Sequence, residues 1–212
     1  MSKYPEFLNL DDPYIKICII CEGSEEYDYL NRLIQLGVWN NKYFINLVDA
    51  KGNGNIAARY QDKYQNGSYD LVFIFCDTDK KPYETYEDIK RKINDFHGVE
   101  TAADEVVFFG NPCTMQIIIE HWKDVKLKSP SKKINANIIN ECTCVENYKG
   151  KKEQRSAIMQ LITAENYKTM KRSLRNLSSN DKEVNSSNFI KLAEYLEQDD
   201  EAWIDTIQKL LE

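Results

Sequence analysis

This 212-residue chain is poor in the residues that most often announce a site, with two histidines, eight glycines and five prolines. Two histidines, His97 and His121, are too few for a histidine-built metal centre. Of the six cysteines, Cys142 and Cys144 have the wrong spacing for a zinc knuckle and no second pair accompanies them, which argues against structural zinc. Cys18, Cys21, Cys76 and Cys113 lie in or beside apolar runs, as reduced core cysteines do. No apolar run approaches the roughly 18 residues of a membrane span. Residues 1–14 lack the basic and apolar regions of a secretory leader. A cytoplasmic protein with no membrane partner is the expectation. Internal repeats and low-complexity tracts are also missing, and the turn after the first strand is not the glycine-rich loop that cradles a bare phosphate.

That turn carries acids instead. Residues 15–21 (IKICIIC) are apolar except for Lys16 and read as a strand buried on both faces. Glu22 and Gly23 end it, Ser24 is a good helix N-cap, and Tyr27, Leu30, Leu33 and Ile34 then repeat at helical spacing. Glu25 and Glu26 fall in the first helical turn, where acids complement the helix dipole. Glu22 is not at such a position. It belongs to the carboxyl edge of the sheet, where open α/β sheets bind ligands. Three carboxylates would repel a phosphate unless a divalent cation lay between.

The chain then alternates. Residues 43–48 read as a second strand, followed by a Gly-Asn-Gly-Asn turn and a helix to about residue 64. Residues 69–76 form a third, plainly buried strand that ends on Asp77-Thr78-Asp79. A helix over residues 83–96 and a strand over 105–109 follow, then an apolar helix over 114–122. Residues 123–155 read as a lysine-rich, weakly patterned connection. Helices over 156–177 and 188–211 flank a polar loop at 178–187. The expected architecture is α/β, a mostly parallel four-stranded sheet flanked by helices, with residues 1–122 as the α/β domain and 123–212 as a basic connection and helical C-terminal extension packed on it.

Asp77 and Asp79 stand two apart on a strand end, so both can face one space. If the first and third strands are neighbours, Glu22 borders that space too. Such hard oxygen donors suit Mg²⁺ or Mn²⁺. A strand ending in Glu-Gly followed by one ending in Asp-x-Asp resembles the Toprim domain of topoisomerases, DnaG-type primases and OLD-family nucleases. Residues 111–122 (NPCTMQIIIEHW) further resemble the N-P-C-F-E-x-W-x-L-L-H-F segment of RloB-like proteins, a small Toprim-type family linked to restriction and phage-defence loci. The resemblance covers residues 15–122. It implies Glu22 as a general acid or base or a second-metal ligand, Asp77 and Asp79 as ligands of Mg²⁺ or Mn²⁺, and one of Glu25 and Glu26, here taken as Glu26, as the second acid. His121 falls on the family's histidine and is carried over as catalytic, although a histidine packed beside Trp122 is an equal alternative. The family's acid after Asn-Pro-Cys is Met115 here, so that role has moved to Glu120 or is absent.

The formal net charge of −6 is uneven, because residues 123–175 carry 13 Lys and Arg against 5 Asp and Glu. Lys132, Lys133, Lys151, Lys152 and Arg155 are the expected nucleic-acid contacts, made to phosphate without base preference. The expected activity is a metal-dependent phosphodiesterase, a nuclease on DNA or RNA in phage defence. The alternatives are a non-catalytic Toprim scaffold that binds an ATPase encoded nearby and a primase-like nucleotidyl transferase.

Overall fold

The computed structural model describes residues 14–52, 54–78, 85–127 and 129–212. The Ile-rich run is β1 (Ile15–Cys21), buried from Ile17 onward. A strand covered on both faces has no reason to alternate, so its sequence is continuously apolar. The same holds for β3 (Leu71–Asp77), whose first six residues are buried, and for β4 (Val107–Asn111). β2 (Tyr43–Asp49) is half-buried along most of its length, as an outer strand can be. The sheet order is β2-β1-β3-β4-β5, with β5 at Ser186–Ser187; β1, β2, β3 and β4 run parallel and β5 antiparallel.

Helices α1 (Ser24–Leu36), α2 (Ile56–Gln65) and α3 (Tyr86–His97) link successive strands. α1 stops at Gly37 and α3 at Gly98, both left-handed (φ 63° and 68°), where a side chain would be strained. The chain leaves β1 for β2 on one side and comes back to β3 on the other. The crevice beyond the carboxyl ends of β1 and β3 is therefore the topological switch point, where such sheets place their ligands.

The second half departs from the expected outline. Glu105 and Val106 end a short helix, α4 (Ala102–Val106), and the apolar segment after Pro112 forms only α5 (Met115–Ile119). The lysine-rich connection contains α6 (Lys132–Thr143) and the start of α7 (Lys152–Leu161). The expected helix at 156–177 breaks at Thr163, whose hydroxyl accepts from the Asn166 amide and restarts the chain as α8 (Ala164–Leu174). The last helix divides into α9 (Phe189–Glu197) and α10 (Ala202–Leu211).

The sheet has five strands, one more than expected. The extra strand comes from the polar loop, and side chains fasten it: Ser187 Oγ donates to the Phe109 carbonyl (2.7 Å), and Asn188 accepts from the Phe109 amide (2.8 Å) while donating to the Val107 carbonyl (2.9 Å). The C-terminal half shares one apolar core with the sheet. The Phe189 ring lies 5.1 Å from that of Phe75 and 5.6 Å from Tyr29, and Trp203 stacks on Tyr195 at 4.7 Å and donates to Tyr43 Oη (3.1 Å).

Because the core is shared, urea should unfold the chain in one transition, with fluorescence and circular dichroism coincident. Phe189→Ala should lower the stability of that single transition by about 3–5 kcal/mol. Two resolved steps, with only the later or earlier one moved by the substitution, would instead make residues 123–212 a separate unit.

Candidate functional site

The edge of the sheet is tied together by backbone and carboxylate. The Glu22 amide extends the β1–β3 ladder by donating to the Phe75 carbonyl (3.0 Å), and its own carbonyl accepts from Gly52 (2.9 Å). With the Glu22 backbone held from both sides, its side chain turns along the edge, and Oε2 accepts the Asp77 amide at 3.0 Å. Asp77 in turn accepts on one oxygen, Oδ1, from both the amide (2.6 Å) and the hydroxyl (2.8 Å) of Thr114. Glu22, Asp77 and Thr114 thus connect the carboxyl ends of β1 and β3 to the loop after β4.

That loop reaches Asp77 because β4 contains Gly110. A Cβ there would lie 3.0 Å from the Cys113 carbonyl oxygen and 3.1 Å from Thr114 Cα, both backbone atoms that cannot swing aside. Glu26 folds back as a helix-capping residue, accepting the Gly23 amide at 3.0 Å, and is 4% exposed. Glu25 points outward to a clasp, accepting from Lys132 Nζ (2.7 Å) and from the Tyr148 hydroxyl (2.6 Å). Arg155 closes the side, bonded to Asp28 (2.7 Å) and the Gly150 carbonyl (2.6 Å). Glu22, Glu25, Glu26, Asp77, Lys132 and Arg155 line a cleft of about 340 Å³, together with Cys113 and Pro130.

Burial first, and then the charges of Glu22 and Glu25, push the Glu26 carboxyl up to about 8, against the opposing pull of a Thr114 hydrogen bond. Asp77 is raised for the same reasons, burial leading and the Glu26 and Glu22 charges following, and Thr114 again opposes. Burial works against the charge on Lys132, but Glu25, Glu26 and Asp77 outweigh it and hold the ammonium above its ordinary value. The cleft therefore gathers carboxyls that resist ionising together, with one tethered ammonium, Lys132, at its wall among the described residues.

The carboxylates suit a hard divalent cation in donor chemistry and in charge. Among the described residues, however, no three His, Cys, Asp or Glu side chains are already arranged around a metal position. Asp79, the remaining expected ligand, lies outside the described residues.

Other expected site residues fall elsewhere. His121 is 1% exposed, with Nδ1 3.0 Å from Asn166 Oδ1 and Nε2 3.1 Å from Tyr29 Oη. The amide nitrogen of Asn166 is engaged by the Leu161 carbonyl (3.0 Å), so its oxygen faces the ring. Nδ1 must donate, and burial pushes the imidazole down to about 4, so the neutral ring leaves Nε2 to accept from the Tyr29 hydroxyl. His121 is thus a packing residue that joins α1 to α8. Glu120 is also buried, bonded to Gln116 (2.7 Å), and does not line the cleft. Lys133, Lys151 and Lys152 are exposed, while Lys132 and Arg155 are engaged by Glu25 and Asp28. Thr114 and Tyr148 were missed as site residues. Thr114 directly follows Asn-Pro-Cys, one position before Met115, and nothing local marks Tyr148 among 13 tyrosines.

No family model, curated protein or solved structure matches this chain.

A carboxyl whose folded value is raised binds more protons folded than unfolded, so its contribution to stability is complete below about 4.5 and lost as pH rises through about 8. Without divalent ions, the melting temperature should fall across that window. Glu26→Gln, which keeps the cap on Gly23, should flatten the fall, with equal melting at pH 5 and a higher value at pH 9; a decline as steep as wild type would place the titration elsewhere. Gly110→Ala should destabilise by about 1–3 kcal/mol through overpacking. It should also release Thr114, read as faster exchange of the Thr114 amide proton; unchanged exchange would mean that the loop does not depend on the glycine.

Proposed function

We propose that the chain is a Toprim-type phosphodiesterase that uses Mg²⁺ or Mn²⁺ to cleave DNA or RNA. One observation supports this reading above the others: Glu22 and Asp77, the strand-end residues of the Glu-Gly and Asp-x-Asp motifs, meet at the switch point, with the Asp77 amide bonded to the Glu22 carboxylate. Asp77, Asp79 and Glu22 would hold the ion, whose chemistry would be to neutralise phosphate charge and make a bound water more acidic. Glu26, pushed up to about 8, keeps its proton at neutral pH and is suited to deliver it to a leaving oxygen. Lys132, held charged at the cleft wall, can meet the phosphate once Glu25 lets it go. Work against foreign genetic elements in the cytoplasm rests on the sequence resemblance; among the described residues no helix is long and apolar enough to cross a membrane.

A second reading, a non-catalytic Toprim scaffold for a partner ATPase, is favoured by the Lys132–Glu25 pair, which already neutralises part of the charge.

Labelled DNA and RNA incubated with the purified chain should be cut only with Mg²⁺ or Mn²⁺. Asp77→Asn should reduce cutting by about 10²–10³-fold, the usual effect of losing one electrostatic contributor in a site. The folded state should be no less stable, since the change removes a charge that its neighbours repel. Mn²⁺ should raise the melting temperature of wild type and leave the variant unmoved. Full activity in the variant sinks the assignment of Asp77, and thermal stabilisation by Mn²⁺ with no cutting of any substrate favours the scaffold.

A further inference from the structure

Three hollows lie in line along α1. The carboxylate cleft is at its N-terminal end, a hollow of about 240 Å³ against α7 lies midway, beside Asn31 and Gln35, and one of about 620 Å³ against α8 lies at the far end, beside Gly37 and Val38. The opposite wall is made first by α7 and then by α8, and two bonds cross to it from α1 between the hollows. Asp28 meets Arg155 at 2.7 Å, and one turn further on Arg32 meets the Ile162 carbonyl at 2.7 Å, so α7 runs alongside α1 in the same direction until α8 takes over after Thr163. The 13 residues of α1 make the furrow about 20 Å long at about 1.5 Å per residue.

The far hollow is basic. Lys168, Lys171, Arg172 and Arg175 line it from α8, at spacings of three and four that put them on one helical face. Lys171 is engaged by Glu197, another lining residue, and is unavailable. The others are loosely held. Lys168 lies 3.6 Å from Glu165, with both side chains mostly exposed, and Arg175 pairs with Glu194 (2.9 Å) at the open rim. Arg172 bonds only the Lys168 carbonyl (3.4 Å) and the Thr169 hydroxyl (3.1 Å) of its own helix and has no carboxylate partner among the described residues. Exposed pairs of this kind contribute little and exchange readily for phosphate.

We propose that this furrow is a track for single-stranded nucleic acid, with Lys168, Arg172 and Arg175 holding phosphates at one end and the carboxylate cleft receiving the strand at the other. The assignment of the cleft as destination rests on the phosphodiesterase reading above; the binding does not. Hollows of about 240 and 620 Å³ in a row about 20 Å long are too small to seat a duplex, whose single turn is about 34 Å long. At a stacked spacing of about 3.4 Å, the furrow takes roughly six nucleotides.

The test uses the full chain in EDTA, with fluorescein-labelled oligothymidylate of about 12 nucleotides and a labelled trinucleotide, read by anisotropy from about 0.05 to 0.3 M KCl. The α8 variant is K168Q/R172Q/R175Q. Its control, K126Q/K149Q/K209Q, removes the same charge from exposed positions that line none of the three hollows. Both keep helix-compatible side chains, and melting temperatures verify folding. The α8 variant should bind the longer strand at least about tenfold more weakly near 0.1 M KCl, and its log K against log salt slope should be shallower by about 2, three contacts at about 0.7 each. The control should lose less than about threefold, and trinucleotide binding should respond far less than that of the long strand. Equal losses in the two variants would reduce the effect to overall charge and overturn the track. Equal losses on trinucleotide and long strand would make the basic hollow a compact phosphate pocket and also overturn it, as would a wild type that binds neither. Tight, α8-dependent binding with no cutting in Mg²⁺ or Mn²⁺ would leave the track standing and refute the phosphodiesterase reading alone.

Discussion

The hydrogen bond from the Asp77 amide to the Glu22 carboxylate is the constraint on which the site depends. It crosses from the end of β3 to the end of β1, the pair of strands between which the chain reverses its winding. Were β1 and β3 separated by another strand, the two motif carboxylates would stand about 10 Å apart across the sheet. Adjacency brings them together, and Thr114 then draws the third strand end into the same edge through Asp77.

Bringing acids together in a buried place opposes folding, and the chain offsets this locally. Amides of Asp77, Gly23 and Thr114 and the hydroxyls of Thr114 and Tyr148 each stabilise a carboxylate, and Lys132 supplies the only ammonium engaged by the cluster among the described residues. Backbone amides carry no net charge, so they lessen the repulsion without removing it. What remains of the repulsion raises Glu26 and Asp77, which relieve it by holding protons. The rest of the fold is apolar and closely packed around this edge, with rings of Phe75, Phe189 and Tyr29 meeting behind it.

Much of the first half is legible in the sequence because β1 and β3 are continuous apolar runs of a length that only buried strands share, and acids directly after them mark the carboxyl edge. Legibility fails where pairing is tertiary. Lys132 and Glu25 are 107 residues apart and Arg155 and Asp28 are 127 apart, so nothing local distinguishes these two cations from the exposed Lys133 and Lys151. β5 escapes because serine and asparagine side chains, usually read as loop formers, supply its bonds to β4. The break at Thr163 rests on a cap with Asn166 at the third position, where the usual capping box carries Glu or Gln. His121 satisfied a motif position, while its surroundings, set by α1 and α8, determine what it does.

The two-residue β5 has a further consequence. β4 would otherwise end the sheet with a row of open amides and carbonyls next to Phe108 and Phe109, a template on which an unfolded or neighbouring chain could add a strand. Ser187 and Asn188 occupy those groups with side chains, and the antiparallel pairing covers only Gly110 and Asn111 before the backbone turns away into α9. The stub thereby blocks this flank against strand addition while presenting almost no strand edge of its own.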